Sequence, residues 1–256
     1  MLLALVIKND ILSLGVYDGG ALRASAAVAT DTGKTADEYA VLFGNILSFR
    51  GFSATDITDA ICASVVPAVT ETVRDAVRLL TGVRPHLIGS GVKTGLTIAT
   101  ENPAELGSDL VAAAVGALAR YKAPLILLDL GTAATFSVID GKGEFVGCAI
   151  APGVALSAEA LSARAELLPH AAAKVPKSVI GKNTAESLRA GTLFGAAAMI
   201  DGMLDRIEEA SAATATVIVS GKDADVLLPL CRHTVTRDDT LALLGLSLIF
   251  EKNKRK

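Results

Sequence analysis

Cysteine, net charge and long apolar runs are all scarce in this chain, and each scarcity closes off a class of protein. The three cysteines stand far apart, at Cys62, Cys148 and Cys231. An odd, scattered set argues against a disulfide framework or a zinc site and for a reducing compartment. The formal charge is only −3, so nothing marks a nucleic-acid partner except the basic run at residues 252–256, which reads as a solvated tail. No uncharged apolar run reaches the length of a membrane span. The apolar start at residues 1–7 lacks the basic flank and cleavage-like tail of a secretory signal. The expectation is a soluble, cytoplasmic protein that uses neither membrane nor nucleic acid. What is present is a hydrophobic fraction of 51% over 256 residues, enough for a sizeable core. That length is long for one domain and comfortable for two of about 120–130 residues.

The most informative stretch is residues 125–141, LILLDLGTAATFSVIDG. Four aliphatic residues lead to Asp129, the backbone turns at Gly131 and Thr132, and a second run follows with the two-residue period of a strand. A Gly-Thr corner lets main-chain N–H groups approach an oxyanion such as phosphate, and leaves the acid beside it to hold a cation. A buried strand followed by an ordinary turn would be written with the same letters. The chain, however, opens the same way. Residues 2–19, LLALVIKNDILSLGVYDG, form an apolar run, a polar corner of Lys8, Asn9 and Asp10, and a second run ending in Asp-Gly. With Val6 set beside Asp129 the two hairpins run in step, which reads as an internal duplication. Two such corners facing a common cleft would hold a nucleotide from both sides.

Between and after the hairpins, strands and helices alternate, which gives an α/β class with no low-complexity linker. Thr35 and Glu38 form a capping-box pattern for a helix to about residue 50. A strand follows at 60–66, then a helix from about 70 to 80 with Val73, Val77 and Leu80 on its apolar face, and a short strand near 86–88. A turn at 100–103 precedes Gly107, Ser108 and Asp109 and an alanine-rich helix at 110–121, where Asp109 would suit the helix dipole. The second half continues with a strand into the Pro152-Gly153 turn, a helix at 154–165 and a loop containing Pro169 and Pro176. A helix at 185–210 with small residues at Gly191, Gly195 and Ala198, a strand at 216–219 and a last amphipathic helix at 241–251 complete it. The division expected is residues 1–120 and 121–256.

Six ordered motifs, TADEY at 35–39, SVVP at 64–67, NP and GSD within 102–109, DLGTAATF at 129–136, GxxIxPG at 147–153 and IGKNT at 180–184, resemble the type III pantothenate kinases over essentially the whole chain. The resemblance implies two duplicated ribonuclease-H-like domains of the actin-like ATPase superfamily with a cleft between them. It implies transfer of the γ-phosphoryl group of ATP to pantothenate, in coenzyme A biosynthesis. It also implies Mg²⁺, a monovalent cation (K⁺ or NH₄⁺) and a dimer.

Carried across residue by residue, the resemblance makes Asp109 the general base and Asp129 the monovalent-cation ligand. Gly107, Ser108, Asp109 and Thr184 fall on the pantothenate side; Asn9, Gly131, Thr132 and Gly221 fall on the nucleotide side. Other positions depart from the pattern. The first phosphate motif, D-x-G-N-T in the family, keeps only Asn9, with Val6, Lys8 and Asp10 in the other places. Leu110 stands where an Arg usually follows the base, Thr100 where a substrate-side Tyr precedes the NP turn, and Ser220-Gly221-Lys222 where the adenosine side has Thr-Gly-Gly. Losing the acid that organises Mg²⁺ removes a central part of a phosphoryl-transfer site. An ionised Asp10 about 4 Å from a phosphate would be repelled by roughly 4 kcal/mol at an effective dielectric of 20. Three readings follow: a degenerate subunit that pairs with an intact paralogue, a self-sufficient homodimeric kinase with an altered metal site, and a non-catalytic ligand-binding or regulatory protein.

Overall fold

The computed structural model describes residues 1–89, 91–165, 168 and 175–254. Pro169 and the last two residues of the basic run, Arg255 and Lys256, lie outside the described residues. The chain divides into two compact units, Met1–Tyr121 with Thr240–Lys256, and Lys122–Asp239.

In the first unit β1 (Leu2–Ile7), β2 (Ile11–Asp18) and β3 (Ala21–Ala29) form an antiparallel meander, while β4 (Asp59–Ser64) and β5 (His86–Leu87) add in parallel on the other side of β1. The sheet order is β3-β2-β1-β4-β5. Every residue of β1 is buried, as a strand covered on both faces must be. Leu3, Leu5 and Ile7 pack with Tyr39 and Phe43 of α1 (Ala36–Phe49) and with Val69, Val73 and Val77 of α2 (Pro67–Thr81). Leu2, Ala4 and Val6 pack on the opposite face with Ala112 of α3 (Ser108–Arg120) and with Leu243, Leu246 and Ile249 of α7 (Leu241–Lys254).

Helix α1 begins at the Thr35–Glu38 capping box. Helix α2 starts three residues earlier than its periodicity suggests because Pro67, with φ preset and no N–H to lose, occupies its first turn. Two glycines explain why α7, expected in the second domain, belongs to the first unit. A Cβ on Gly116 of α3 would fall 2.0 Å from the Leu241 carbonyl oxygen, and one on Gly245 of α7 would fall 1.8 Å from the Ala112 oxygen. The two helices therefore touch backbone to backbone. The small residues of the alanine-rich helix α3 are thus used for packing within its own unit. Nor is residues 252–254 a free tail, since they form the last turn of α7.

The second unit repeats the plan. Strands β6 (Leu125–Leu130), β7 (Ala133–Ile139) and β8 (Phe145–Pro152) form the meander, with β9 (Thr216–Ser220) and β10 (Thr236–Arg237) parallel beside β6. The order β10-β9-β6-β7-β8 is the first sheet's order read from the other edge. Ile126, Leu128 and Leu130 pack with Leu193, Ile200 and Leu204 of α5 (Thr184–Ser211) and with Leu227 of α6 (Ala224–Leu227); α4 (Val154–Arg164) follows β8. The register makes the duplication concrete. Val6 pairs with Ser13 and Ala63, and Asp129 pairs with Thr135 and Ser220.

Candidate active-site residues in the two units

Three loops of the second unit meet at the carboxyl end of β6. The first is the hairpin corner, closed by the Gly131 N–H donating to the Ala133 carbonyl at 3.0 Å. Thr132 is exposed at its tip. The second is the turn after β8, where the Gly153 N–H donates to the Thr132 carbonyl at 3.0 Å. A Cβ on Gly153 would lie 2.0 Å from the Gly131 oxygen. The third is the turn after β9. Gly221 there has φ +108°, and a Cβ on it would lie 2.2 Å from the Leu130 oxygen, so only glycine serves. Asp129 sits under this junction and accepts a hydrogen bond from Ser220 Oγ at 3.1 Å. Asp129, Gly131, Thr132 and Gly221 are thus brought together by the fold.

Sequence reasoning missed the brace behind Gly221. Its N–H donates to Asp239 Oδ1 at 3.1 Å, and Arg237 Nε donates to Asp239 Oδ2 at 2.8 Å while its other arm pairs with Asp225. Those two carboxylates, Asp225 first, hold the Arg237 guanidinium above its already high pKa. Only spacing could have hinted at this, and charges at 225, 237 and 239 carry no motif.

The corner of the first unit is built differently. The Lys8 N–H donates to the Ile11 carbonyl at 3.0 Å, and Thr30 ties the corner to the end of β3 by donating from Oγ1 to the Lys8 carbonyl at 2.7 Å. Asn9 is exposed at the tip. Where the second unit has the bonded pair Asp129 and Ser220, the first has Val6 and Ala63, 2% and 0% exposed in one apolar cluster.

Asp109 is held with unusual care. Ser108 Oγ accepts from the Ser64 N–H at 3.0 Å and donates to the Ser64 carbonyl at 3.1 Å, stitching the start of α3 to the end of β4. Ser64 Oγ in turn bonds Thr70 Oγ1 at 2.7 Å. Ser108 commits its one hydroxyl proton to the backbone and so acts here as an anchor. Asp109 follows in the first turn, 8% exposed, and a Cβ on Gly107 would stand 2.6 Å from its Oδ1. Gly107 therefore makes room for the carboxylate. Since Ser64 pairs with Ile7, Asp109 and the Asn9 corner lie at the same end of the first sheet. Thr184 is the first residue of α5, exposed. The helix cap is Asn183, whose Oδ1 accepts from the Glu186 N–H at 2.9 Å, so Thr184 is not needed for capping.

Among the described residues no group of three or more His, Cys, Asp or Glu could hold a metal ion. A protein-built metal cage does not fit this donor set. An ion carried in with a nucleotide does, since Mg²⁺ keeps most of its waters and needs only one or two carboxylates plus phosphate oxygens.

A family described as type III pantothenate kinase matches this chain over residues 2–206. The type III pantothenate kinase of Citrifermentans bemidjiense is 37% identical over 254 residues, covering 99% of this chain and 100% of the relative. Among solved structures, the activator of 2-hydroxyisocaproyl-CoA dehydratase from Clostridium difficile with bound ADPNP aligns with a TM-score of 0.60 at 12% identity, over 100% of this chain and 97% of that one. A Baf family transcriptional activator from Campylobacter jejuni aligns at 0.59 and 17%, over 99% and 100%. At such identities the structural likeness speaks to the fold, and it agrees with two duplicated ribonuclease-H-like domains of the actin-like ATPase kind.

Proposed function

The chain belongs to the type III pantothenate kinase family, and we propose that it serves ATP-dependent phosphorylation of pantothenate as a subunit whose own phosphate corner is incomplete and which complements an intact paralogue. The observation that carries this reading is Val6. At the register position where the duplicated unit presents Asp129, the first unit has a valine sealed in its core, beside Ala63 in place of Ser220. A valine offers no carboxylate to a phosphate-bound ion.

The retained residues have definite work in such a reaction. The pantothenate hydroxyl oxygen forms a bond to the γ-phosphorus, the bond from that phosphorus to ADP breaks, and the hydroxyl proton passes to a carboxylate. In the partner's site that group is the acid matching Asp109; Asp109 itself, held by Gly107 and Ser108, takes the proton only where this chain's own site is used. Backbone N–H groups around Gly131, Thr132 and Gly221 would lie along the phosphates, and Asp129 would hold the monovalent cation, K⁺ or NH₄⁺. Mg²⁺, when bound, supplies charge neutralisation at the phosphates. Thr184, free of capping duty, would touch pantothenate. A self-sufficient homodimeric kinase is the second reading, favoured by how completely the Asp109 anchor and the Asp129 junction are preserved.

Assembly is supported by the second unit's surface. Val146 and Ile150 on β8, Leu156 and Leu161 on α4, and Val179 and Ile180 before α5 are large exposed apolar residues of this unit. Gly191 and Gly195 on α5 have open space where a Cβ would stand. A dimer with an intact paralogous subunit, in the cytoplasm, fits these features.

The test is an ADP-release assay with MgATP, K⁺ and pantothenate. The chain alone should show no turnover, and a reconstituted complex with an intact family member should. In that complex Thr184→Ala here should lower activity, while Asp109→Asn here should do little and the matching change in the partner should abolish it. Turnover by the chain alone at about 1–1,000 per second would select the self-sufficient kinase instead.

A further inference from the structure

A cavity of about 400 Å³ opens inside the first unit, between the β5 edge of the sheet and the last turns of α7. Its position separates it from the phosphate chemistry. Asp59 at its mouth is the first residue of β4 and pairs with Leu2, whereas the Asn9 corner and Asp109 lie at the other end, where Ser64 pairs with Ile7. Five residues of strand put about 16 Å between the two ends.

The walls are built. Ile61, Ile88 and Ile249 line the apolar part with Phe250, whose ring centroid is 6.2 Å from that of His86. The segment that closes one side is clamped to α7: the Lys93 N–H donates to Asn253 Oδ1 at 3.2 Å, and Asn253 Nδ2 donates to the Lys93 carbonyl at 3.0 Å. At the mouth Lys254 Nζ lies 3.2 Å from Asp59 Oδ2 and 5.3 Å from the Phe250 ring centroid.

We propose that this cavity is a second small-molecule site, for a flat, neutral aromatic ligand that carries a carboxamide. The volume is within the range of about 300–1,000 Å³ usual for such sites, and the apolar wall with its aromatic ring suits a flat body. The mouth sets the polar group. Asp59 only accepts hydrogen bonds and Lys254 only donates them, and their charges cancel. A carboxamide, with an N–H and a carbonyl side by side, answers both without adding charge; a carboxylate in its place would meet Asp59 with like charge.

Calorimetric titration of the full chain with 2-naphthamide tests this, with naphthalene-2-carboxylate as the control. One equivalent of the amide should bind with Kd below about 1 mM, and the carboxylate at least about tenfold more weakly, a factor worth 1.4 kcal/mol. Lys254→Met, at an exposed side chain, and Leu87→Trp, which narrows the mouth from the exposed edge strand, should each weaken the amide about tenfold while leaving the melting temperature unchanged. Saturating MgATP and pantothenate should leave the titration as it was, so the result stands apart from the fate of the proposed kinase role. Absence of amide binding, equal binding of the carboxylate, indifference to both substitutions, or displacement by MgATP would each overturn the site.

Discussion

A carboxylate placed at position 6 challenges the burial of Val6 most directly. Val6 is 2% exposed and packs with Leu2, Ala4, Ile61, Ala63, Ala112 and Leu243. Val6→Asp removes a buried aliphatic side chain, about 2 kcal/mol, and leaves a carboxyl without an assured partner, a further roughly 1–3 kcal/mol. The sum, about 3–5 kcal/mol, is a large share of the roughly 5–15 kcal/mol that holds a protein folded. At about 2–4 °C per kcal/mol for a chain of this order, the melting temperature should fall by roughly 10 °C. Circular dichroism is the assay, since the chain has no tryptophan to report on unfolding. The second unit supplies a rescue: there the acid is bonded by Ser220. Val6→Asp with Ala63→Ser should recover about 1–2 kcal/mol relative to the sum of the single changes. If Val6→Asp melts within about 2 °C of the parent, position 6 is not part of the sealed core and the reasoning from its burial falls.

Gly221→Ala should disturb the junction at the end of β6, because its φ of +108° and the Leu130 oxygen 2.2 Å from a Cβ leave no room; weaker binding of a non-hydrolysable ATP analogue, measured by calorimetry on the reconstituted complex, is expected, and unchanged binding would remove Gly221 from the nucleotide residues. Asn183→Ala should cost about 1 kcal/mol as the loss of a helix cap, whereas Thr184→Ala should leave the thermal melt alone and act only on activity; equal destabilisation by both would make Thr184 a structural residue. Burial pushes the thiols of Cys62 and Cys231 up to about 12 and about 11, while Cys148 is exposed on β8. Ellman's reagent at pH 8 should therefore find one fast thiol in the folded chain and three after denaturation, and an added partner subunit that covers β8 should slow the fast one.

Much of the fold was legible because its signals are local. The two hairpins announced themselves by apolar runs broken at polar corners, and the capping box at Thr35 and Glu38 needed only four residues. What could not be read was set by contacts distant in sequence. Nothing local distinguishes Gly116 and Gly245 from other small residues on helices, yet they decide that α7 packs on α3 within the first unit. The same holds for the Asp225–Arg237–Asp239 brace on Gly221, and for Ser108, which a motif places beside substrate and the structure ties to the Ser64 backbone. Motif reading assigns a residue to a region; only the hydrogen-bond partners say whether its polar atoms are still available there.

The duplication also lets the two corners be compared position by position. At the paired ends of the central strands, the second unit has Asp129, Ser220 and Gly221, and the first has Val6, Ala63 and Ser64 in the matching register. Replacing only the acid would have left a serine hydroxyl facing a hydrocarbon wall, a polar group buried without a partner. Replacing both members converts the pair into ordinary core at little cost, because two apolar groups of fitting size need nothing from each other. The third position is polar for another purpose: the Ser64 hydroxyl bonds Thr70 Oγ1 and accepts from the Val66 N–H, while the Ser64 backbone holds Ser108 and, through it, the helix turn that carries Asp109. A valine at position 6 and a firmly held Asp109 are therefore compatible in one strand end: the first depends on side chains packed against α3 and α7, the second on the backbone of the next residue. On the proposed reading, a chain with Asp109 positioned and the second corner intact but one carboxylate missing is a subunit that a complementary partner would complete.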